Sequence, residues 1–289
     1  MRGYLISFLS VCGVVLFTVL MLFSGNLCFF WLYLELSSLC LVPSFFLSME
    51  TEKLNSLFSY IVASSISSSL ILCGVMFVDL MPLMILGFLI KFGLFPFFGW
   101  VYNVIIGSNW LVVWGLSTAL KASFFFFSFF LSCSYIGIVN WLSAVTFLFC
   151  GSVFWVISYN WYYCWSHMML VSSASLVVMS LVVSLDYLAY LYVVYVVWAT
   201  MVICFFEKKG GDMSLDGVGL CFMFCSLLVS FPCSISVFYK LVIGGCIFSC
   251  YFPVFVCWVF YNISEQFYLV KLIISQEVPK EMGGLFNVL

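Results

Sequence analysis

The sequence predicts an all-α, polytopic integral membrane protein, and two observations lead to this prediction. First, the 289 residues are 66% hydrophobic and only 7% charged, with a mean hydropathy of +1.28, whereas a soluble domain carries roughly 25% charged residues. Second, apolar segments of about 20 residues, the length that crosses a hydrocarbon core of ~30 Å, recur along the whole chain. The net charge of −2 gives no indication of a nucleic-acid partner, and none is expected.

The apolar segments divide residues 1–289 into about ten transmembrane spans in a single membrane domain, which ends in a short tail at 275–289. The spans are predicted at 3–23, 26–48, 55–78, 81–105, 109–132, 135–157, 164–183, 187–206, 217–250 and 252–274. The ninth span is too long for one straight helix. Pro232 within it predicts two half-helices, because proline lacks an N–H and clashes with the carbonyl four residues earlier.

Basic residues between the spans predict the orientation of the chain. In a ten-span arrangement they all fall at span ends on one side of the membrane: Arg2, Lys53, Lys208, Lys209 and Lys280. The opposite ends carry Asp79 and Asp186. By the positive-inside rule the basic side, and with it both termini, faces the cytoplasm or the mitochondrial matrix. Eleven spans would put Lys280 on the opposite side.

The fourteen cysteines do not indicate a metal or iron–sulfur site. They lie within apolar runs, they form no CxxC pair, and the chain has one histidine. Free cysteine packs as a small hydrophobic residue, so we expect no metal and no cofactor in this chain. Residue types with T- and G-rich codons (Phe, Tyr, Gly, Cys, Trp) are abundant, whereas Pro and His are scarce. This skew is typical of a small, strand-biased organelle genome.

Five ionisable side chains within the spans are the candidate functional residues. Glu35, Lys91 and Lys121 lie near the middle of the second, fourth and fifth spans. Lys240 lies in the second half of the ninth, and His167 lies near the inner end of the seventh. A charge at mid-bilayer costs about 2.5–3.5 kcal/mol even on the lenient insertion scale, and such residues commonly mark ion or proton pathways. Burial lowers the pKa of a lysine amine and a nearby carboxylate raises it, which suits a proton relay.

Two other interpretations of these charges stay open. Glu35 and a lysine could form a static buried pair, although three lysines against one carboxylate would leave excess positive charge in a static bundle. A single polar residue near an interface, such as His167, needs no function at all. In the last span, Lys271 is expected to extend toward the inner surface, and a partner subunit is one candidate neighbour of Glu265.

Prolines predict that two of the spans are interrupted beside a lysine. Pro96 would free the carbonyl of Phe92, next to Lys91, and Pro232 would free that of Leu228. The interrupted spans are the fourth and the ninth. This spacing predicts two inverted five-helix repeats, at about 1–132 and 135–274, each with an interrupted helix in fourth place. Such matched interruptions commonly mark the transport site of ion-coupled carriers.

Several stretches around these residues resemble the antiporter-like subunits of respiratory complex I, and among them the chain 2 family of mitochondrial NADH-ubiquinone oxidoreductase, in particular its short, Phe- and Cys-rich nematode members. The stretches are Leu34-Glu35-Leu36, Lys91-Phe92-Gly93-Leu94-Phe95-Pro96-Phe97 continuing to Trp100-Val101, Lys121 in the next helix, Ser166-His167-Met168, and Phe231-Pro232 through Lys240. The chain departs from the family at Ser236, where Gly is usual, and at Tyr239, which replaces a Pro.

The resemblance implies a proton-translocating membrane-arm subunit in the mitochondrial inner membrane. NADH, FMN, iron–sulfur clusters and ubiquinone would then be bound by partner subunits, and the partners would be other membrane-arm and accessory subunits and phospholipids. Glu35 would couple to a neighbouring subunit and modulate Lys91. Lys121 and His167 would take protons in from the matrix, and Lys240 would pass them outward.

Three alternatives to this function remain at this stage. A stand-alone cation/proton antiporter would share the fold and the lysines. A structural or assembly membrane protein would use the charges as static ion pairs. Chains 4 and 5 of complex I are related to the same family but are considerably longer.

Overall fold

The computed structural model describes residues 2–47, 51–130, 135–210, 218–232 and 234–277, which form helices and short connections with no strand among them. A helix satisfies its backbone hydrogen bonds within one segment, which is what a chain in hydrocarbon requires. Lys280 and the rest of 278–289 lie outside the described residues, as do Cys233 and the side chains of Arg2 and Lys53. The predicted relation between the two halves stays a prediction.

The described residues of the first half form seven α-helices, and short 3-10 segments interrupt or extend them. The helices are α1 (Arg2–Leu22), α2 (Leu27–Leu41), α3 (Thr51–Met76), α4 (Met81–Phe92), α5 (Gly99–Ile106), α6 (Trp110–Ser117) and α7 (Phe124–Phe130). The 3-10 segments are Val42–Leu47, Val78–Leu80 and Ala119–Ser123.

The described residues of the second half form six α-helices. These are α8 (Ile136–Ile157), α9 (Trp161–Ser180), α10 (Leu185–Lys209), α11 (Val218–Leu227), α12 (Ile235–Phe248) and α13 (Phe252–Glu277). The helices of both halves correspond to the ten predicted spans, the largest difference being at the third, which begins at Thr51 rather than at residue 55. The prediction of a polytopic all-α membrane protein is confirmed.

Six spans in the described part of the chain are long and apolar enough to cross a membrane on their own: Leu5–Leu22, Leu27–Leu47, Leu54–Met76, Trp110–Phe127, Ile136–Ile157 and Leu185–Lys209. Two of the remaining predicted spans consist of short helices around a break, α4 with α5 and α11 with α12. The other two are α9, which is rich in serine, and α13, which carries Glu265 and Lys271.

Helix α9 lies at the centre of the bundle, where it contacts α4, α5, α7, α8, α10 and α12. Every residue from Cys164 to Ser180 is buried. The outer helices expose large apolar side chains such as Phe8, Phe58 and Phe222. In a membrane protein the outer surface faces lipid, so polar side chains belong inside, against α9.

The break in the fourth span begins earlier than the sequence predicts. Helix α4 ends at Phe92 because Gly93 adopts a left-handed conformation with φ of 68°, and its N–H closes the helix on the carbonyls of Leu89 and Ile90. A side chain at this position would be strained, and its Cβ would come within 2.5 Å of Val101 Cγ2. Pro96 therefore lies inside an existing turn and does not initiate the break.

The break in the ninth span follows the prediction. Helix α11 ends at Leu227 and α12 begins at Ile235, with Pro232 between them. The carbonyl of Leu228, predicted to be free, accepts hydrogen bonds from Ser236 Oγ at 3.2 Å and Gln266 Nε2 at 3.4 Å. Side chains from α12 and α13 thus satisfy the backbone that proline leaves open.

A third interruption, in the fifth span, was not predicted. Helix α6 ends at Ser117, and Lys121 lies in the 3-10 segment that follows. Two tyrosines of α10 bind the carbonyls at this point, Tyr195 that of Ser117 at 2.7 Å and Tyr192 that of Thr118 at 2.8 Å. The hydrogen bonds come from another helix, so no local proline or glycine is needed.

Candidate functional site

Two small cavities lie against different faces of α9, and together they are lined by three of the five predicted residues. The first, of about 20 Å³, is lined by Lys91 and Lys121 together with a set of hydroxyls: Ser38, Tyr60, Ser64, Ser67 and Ser173. The second, of about 30 Å³, is lined by Lys240, Glu265, Ser172, Ser175 and Tyr261. A polar cavity of more than about 10–15 Å³ has room for a water molecule. Each cavity can therefore hold water between ionisable groups.

Lys121 is the best-bonded of the predicted residues. The side chain is 3% exposed, and its Nζ donates to the carbonyl of Met169 at 2.8 Å, to Ser172 Oγ at 2.6 Å and to Tyr195 OH at 3.0 Å. Three acceptors match the three protons of an ammonium group. The 3-10 segment turns the side chain toward α9 and α10. The site thus provides acceptors for the Lys121 amine inside the bundle without a carboxylate.

Lys91 lines the same cavity as Lys121, but its amine lacks the hydrogen bonds that hold the Lys121 amine. Its Nζ is buried and has no hydrogen-bond partner among the described residues. Glu35 on α2 interacts with it electrostatically but forms no ion pair with it in the described part of the chain. Glu35 instead accepts a hydrogen bond from Ser38 Oγ at 3.4 Å, and Ser38 lines the cavity. The structure therefore places Glu35 beside Lys91 but shows no static pair.

Lys240 forms an ion pair with a residue that sequence reasoning placed differently. Its Nζ lies 2.8 Å from Glu265 Oε1, and the two side chains are 14% and 3% exposed. The sequence left a partner subunit as a candidate neighbour of Glu265, whereas the structure turns it inward. The excess of buried lysines over carboxylates could have indicated a second acid. Lys271, one helical turn and a half further on, is exposed and lies over the Trp155 ring at 5.4 Å.

His167 lines neither of the two small cavities. It is fully buried on α9, and its Nδ1 lies 2.5 Å from the hydroxyl of Tyr102 on α5. Its Nε2 has no hydrogen-bond partner among the described residues. Along α9 it lies between Tyr163 and Met169, which line different cavities.

A third cavity, open and much larger, lies where α3 begins, α5 ends and α9 begins. Its volume is about 400 Å³, and its lining includes Asn55, Ser56, Ser59, Asn103 and Tyr163. Tyr102 precedes Asn103, and His167 is one helical turn after Tyr163. The Tyr102–His167 pair therefore lies within about one helical turn of residues that line this polar opening.

Two adjacent serines of α9 join the cavities to each other through Lys121. Ser173 lines the first cavity, whereas Ser172 lines the second and also accepts from Lys121 Nζ. Tyr195 bonds the same amine, and its ring packs against Tyr239 at 6.0 Å between centroids. Neither Ser172 nor Tyr195 was singled out from the sequence. Polar groups thus follow one another across the bundle from Glu35 to Glu265, a geometry that can move a proton in short steps.

The two predicted helix-break prolines take no direct part in this arrangement. Pro96 and Pro232 are exposed and line none of the three cavities. Pro232 lies in the break that precedes Lys240, whereas Pro96 lies within the turn that begins at Gly93. Across the described residues, no group of three or more His, Cys, Asp or Glu side chains is placed to hold a metal ion.

No family model and no curated protein matches the sequence, but solved structures share the fold. A chain of the respiratory complex I from Thermus thermophilus with bound aureothin aligns with a TM-score of 0.73 and 17% identity, over 91% of this chain and 69% of that one. A chain of the membrane-bound sulfane sulfur reductase, an archaeal respiratory membrane complex, gives 0.72 and 16%, over 90% and 64%. A chain of the Mrp complex from Dietzia sp. DQ12-45-1b gives 0.75 and 13%, over 92% and 59%.

This chain thus spans 59–69% of the length of the chains it matches. At 13–17% identity the likeness concerns the fold. The described helices form a multi-pass membrane protein with the antiporter-like fold found in membrane subunits of respiratory complex I and of the Mrp complex.

Proposed function

We propose that this chain is a proton-translocating membrane-arm subunit of NADH:ubiquinone oxidoreductase, respiratory complex I, of the mitochondrial chain 2 type. The observation that carries the proposal is the succession of polar groups across the bundle. Lys91 and Lys121 line one water-sized cavity, and Ser172 links Lys121 to a second, which holds the Lys240–Glu265 pair. The fold shared with a chain of respiratory complex I supports the proposed membership of that complex.

In the proposed mechanism the five charged positions act in order. A change at the half-buried Glu35, transmitted from a neighbouring subunit, alters the field at Lys91. Lys91 and Lys121 then exchange a proton through water in the first cavity. Ser172 and Tyr195 carry it toward the second cavity, because a hydroxyl both accepts and donates a hydrogen bond. Lys240 and Glu265 release it to the outer side.

Protons would enter from the open third cavity through Tyr102 and His167. This cavity lies at the end of the bundle that carries the start of α3, where Lys53 predicts the matrix side. The inner mitochondrial membrane, with both termini in the matrix, is the proposed location. Moving each charge outward requires roughly 2.3 kcal/mol per 100 mV, so the driving free energy must come from other subunits.

Those other subunits complete the enzyme. The proposal makes this chain part of a translocase without a redox centre of its own, while NADH, FMN, iron–sulfur clusters and ubiquinone are bound elsewhere in the complex. Membrane-arm and accessory subunits and phospholipids would cover the exposed apolar faces of the outer helices.

The likeness to a chain of the Mrp complex, with a TM-score of 0.75, supports a second candidate. A cation/proton antiporter would use the same lysines without NADH. Vesicles containing the protein would then change their internal pH when a salt gradient is applied, in the absence of any electron donor.

Native electrophoresis distinguishes the two candidates. Membranes are solubilised in mild detergent, the complexes are separated, and bands with NADH dehydrogenase activity are searched for this polypeptide by mass spectrometry. We expect it in the active band, in fixed proportion to other complex I subunits. Finding it only in bands without NADH activity would overturn the complex I assignment and favour the antiporter.

A further inference from the structure

One side chain of α13 bonds two backbone groups at the break between α11 and α12. Gln266 Oε1 accepts from the backbone N–H of Ser230 at 2.7 Å, and Gln266 Nε2 donates to the carbonyl of Leu228 at 3.4 Å. Ser236 Oγ donates to the same carbonyl at 3.2 Å. Both the donor and the acceptor side of the broken helix therefore depend on the Gln266 amide.

The same amide also contacts the ion pair of the second cavity. Gln266 Nε2 lies 3.3 Å from Glu265 Oε1, which is the oxygen that accepts from Lys240 Nζ at 2.8 Å. One carboxylate oxygen thus accepts from a lysine and from the residue that holds the helix break. Among the described residues, Tyr239, Tyr261 and Cys164 also interact with Glu265, and these residue types are uncharged at neutral pH.

The charge on Glu265 must influence this arrangement. A carboxylate is a strong acceptor, and hydrogen bonds to charged groups are about twice as strong as neutral ones. When Glu265 takes up a proton, its pull on the Gln266 amide weakens. In a medium of low dielectric, consecutive hydrogen bonds polarise one another, so the bonds from Gln266 to Leu228 and Ser230 change with it.

We propose that Gln266 is a positioning residue that couples the charge state of the Lys240–Glu265 pair to the backbone at the α11–α12 break. Only the purpose of this coupling rests on the proposed function: proton release at Lys240 would open or close the break. The coupling itself is a property of the chain and can be measured without any proton transport.

The test is a double-mutant cycle read out by hydrogen–deuterium exchange. The purified complex is prepared as the parent, as Glu265→Gln, as Gln266→Met and as the double variant, and exchange is followed in the peptide covering 228–237. Gln266→Met should speed exchange of the Ser230 amide roughly tenfold, the effect of one hydrogen bond of ordinary net strength. Glu265→Gln should change exchange in the parent but not in the Gln266→Met background. An equal effect in both backgrounds would overturn the coupling.

Two further variants keep the result specific. Ser236→Ala removes the other side-chain donor to Leu228, so it should speed exchange at the break yet preserve the effect of Glu265→Gln. Asn140→Leu removes an amide of α8 whose buried oxygen has no partner among the described residues, and should leave exchange at 228–237 unchanged. If Gln266→Met does not accumulate, Gln266→Glu serves instead, because an ionised carboxylate accepts from Ser230 but cannot donate.

The outcome is separable from the proposed function. If the cycle shows coupling while lysine substitutions leave proton movement intact, the role of Gln266 stands and the relay is wrong. If proton movement depends on the lysines but the cycle is additive, the relay stands and the coupling is wrong.

Discussion

Lys91 and Lys121 line the same cavity, yet their amines are held in opposite ways. Lys121 donates three hydrogen bonds, all to uncharged groups, whereas Lys91 has none among the described residues and only the field of Glu35. The Lys240 amine is held in a third way, by a direct ion pair with Glu265. The environments of the two amines therefore suit two different roles. One amine is fixed in place, and the other is free to respond to a change outside the cavity.

The largest effect on stability is expected at the ion pair. Glu265→Leu leaves Lys240 charged and unpaired, and breaking a buried pair in this way costs about 3–5 kcal/mol. The double variant Lys240→Met with Glu265→Leu should recover most of that loss, while both variants lose proton pumping. Thermal unfolding of the purified complex measures the stabilities. Equal destabilisation in the single and double variants would show that the pair does not act as a unit.

Lys121→Met is expected to destabilise the chain by about 1–3 kcal/mol, because several buried acceptors lose their donor. Ser172 Oγ still donates to Met169 O at 2.8 Å and reaches Tyr195 OH at 3.3 Å, so the site does not collapse. Proton pumping, followed with a pH-sensitive dye in proteoliposomes, should fall to background. Loss of stability with normal pumping would instead support a structural role.

Lys91→Met sharpens the comparison because stability and function should separate. Removing a buried amine without a partner leaves no acceptor unsatisfied, so the free energy of unfolding should stay the same or rise by about 1–3 kcal/mol. Assembly should remain intact while pumping is abolished. Lys271→Met, at an exposed lysine, is the matched control and should pump normally. Normal pumping in Lys91→Met would contradict the relay.

The smallest effect on stability and pumping is expected at Tyr102 and His167, through which protons would enter from the third cavity. Tyr102→Phe removes the hydroxyl beside His167 Nδ1 and should cost about 0.5–1.5 kcal/mol of stability. Pumping should slow without stopping, because water can replace one hydroxyl next to an open cavity. Tyr268→Phe makes the same chemical change away from the relay, where the hydroxyl donates to Ser158 O, and should not slow pumping. Equal pumping rates in Tyr102→Phe and Tyr268→Phe would show that protons do not enter the bundle through Tyr102.

The spans and two of the breaks could be predicted because their causes are local. A run of apolar residues defines a span, and Pro232 between α11 and α12 marks an interruption that the structure contains. For the break in the fourth span, the sequence prediction named Pro96 as the cause, whereas Gly93 already ends α4. A glycine three residues before a proline should have suggested this.

Long-range contacts explain what the sequence could not predict. The interruption next to Lys121 depends on hydroxyls of Tyr192 and Tyr195, more than seventy residues away. The inward position of Glu265 depends on how α13 is rotated against α12. A helix in lipid has no amphipathic pattern strong enough to fix that rotation, because apolar side chains suit both the lipid and the bundle interior.

The position of Ser172 and Ser173, adjacent in α9 but lining different cavities, has a consequence for insulation. A continuous file of water through the bundle would conduct protons down the membrane potential and dissipate roughly 2.3 kcal/mol per charge at 100 mV. Here the two cavities, of about 20 and 30 Å³, are lined by different residues of α9, and Lys121 lines the first while donating to Ser172, which lines the second. In the proposed relay the central helix would thus also be the seal, and the same lysine that would carry the proton would prevent the leak.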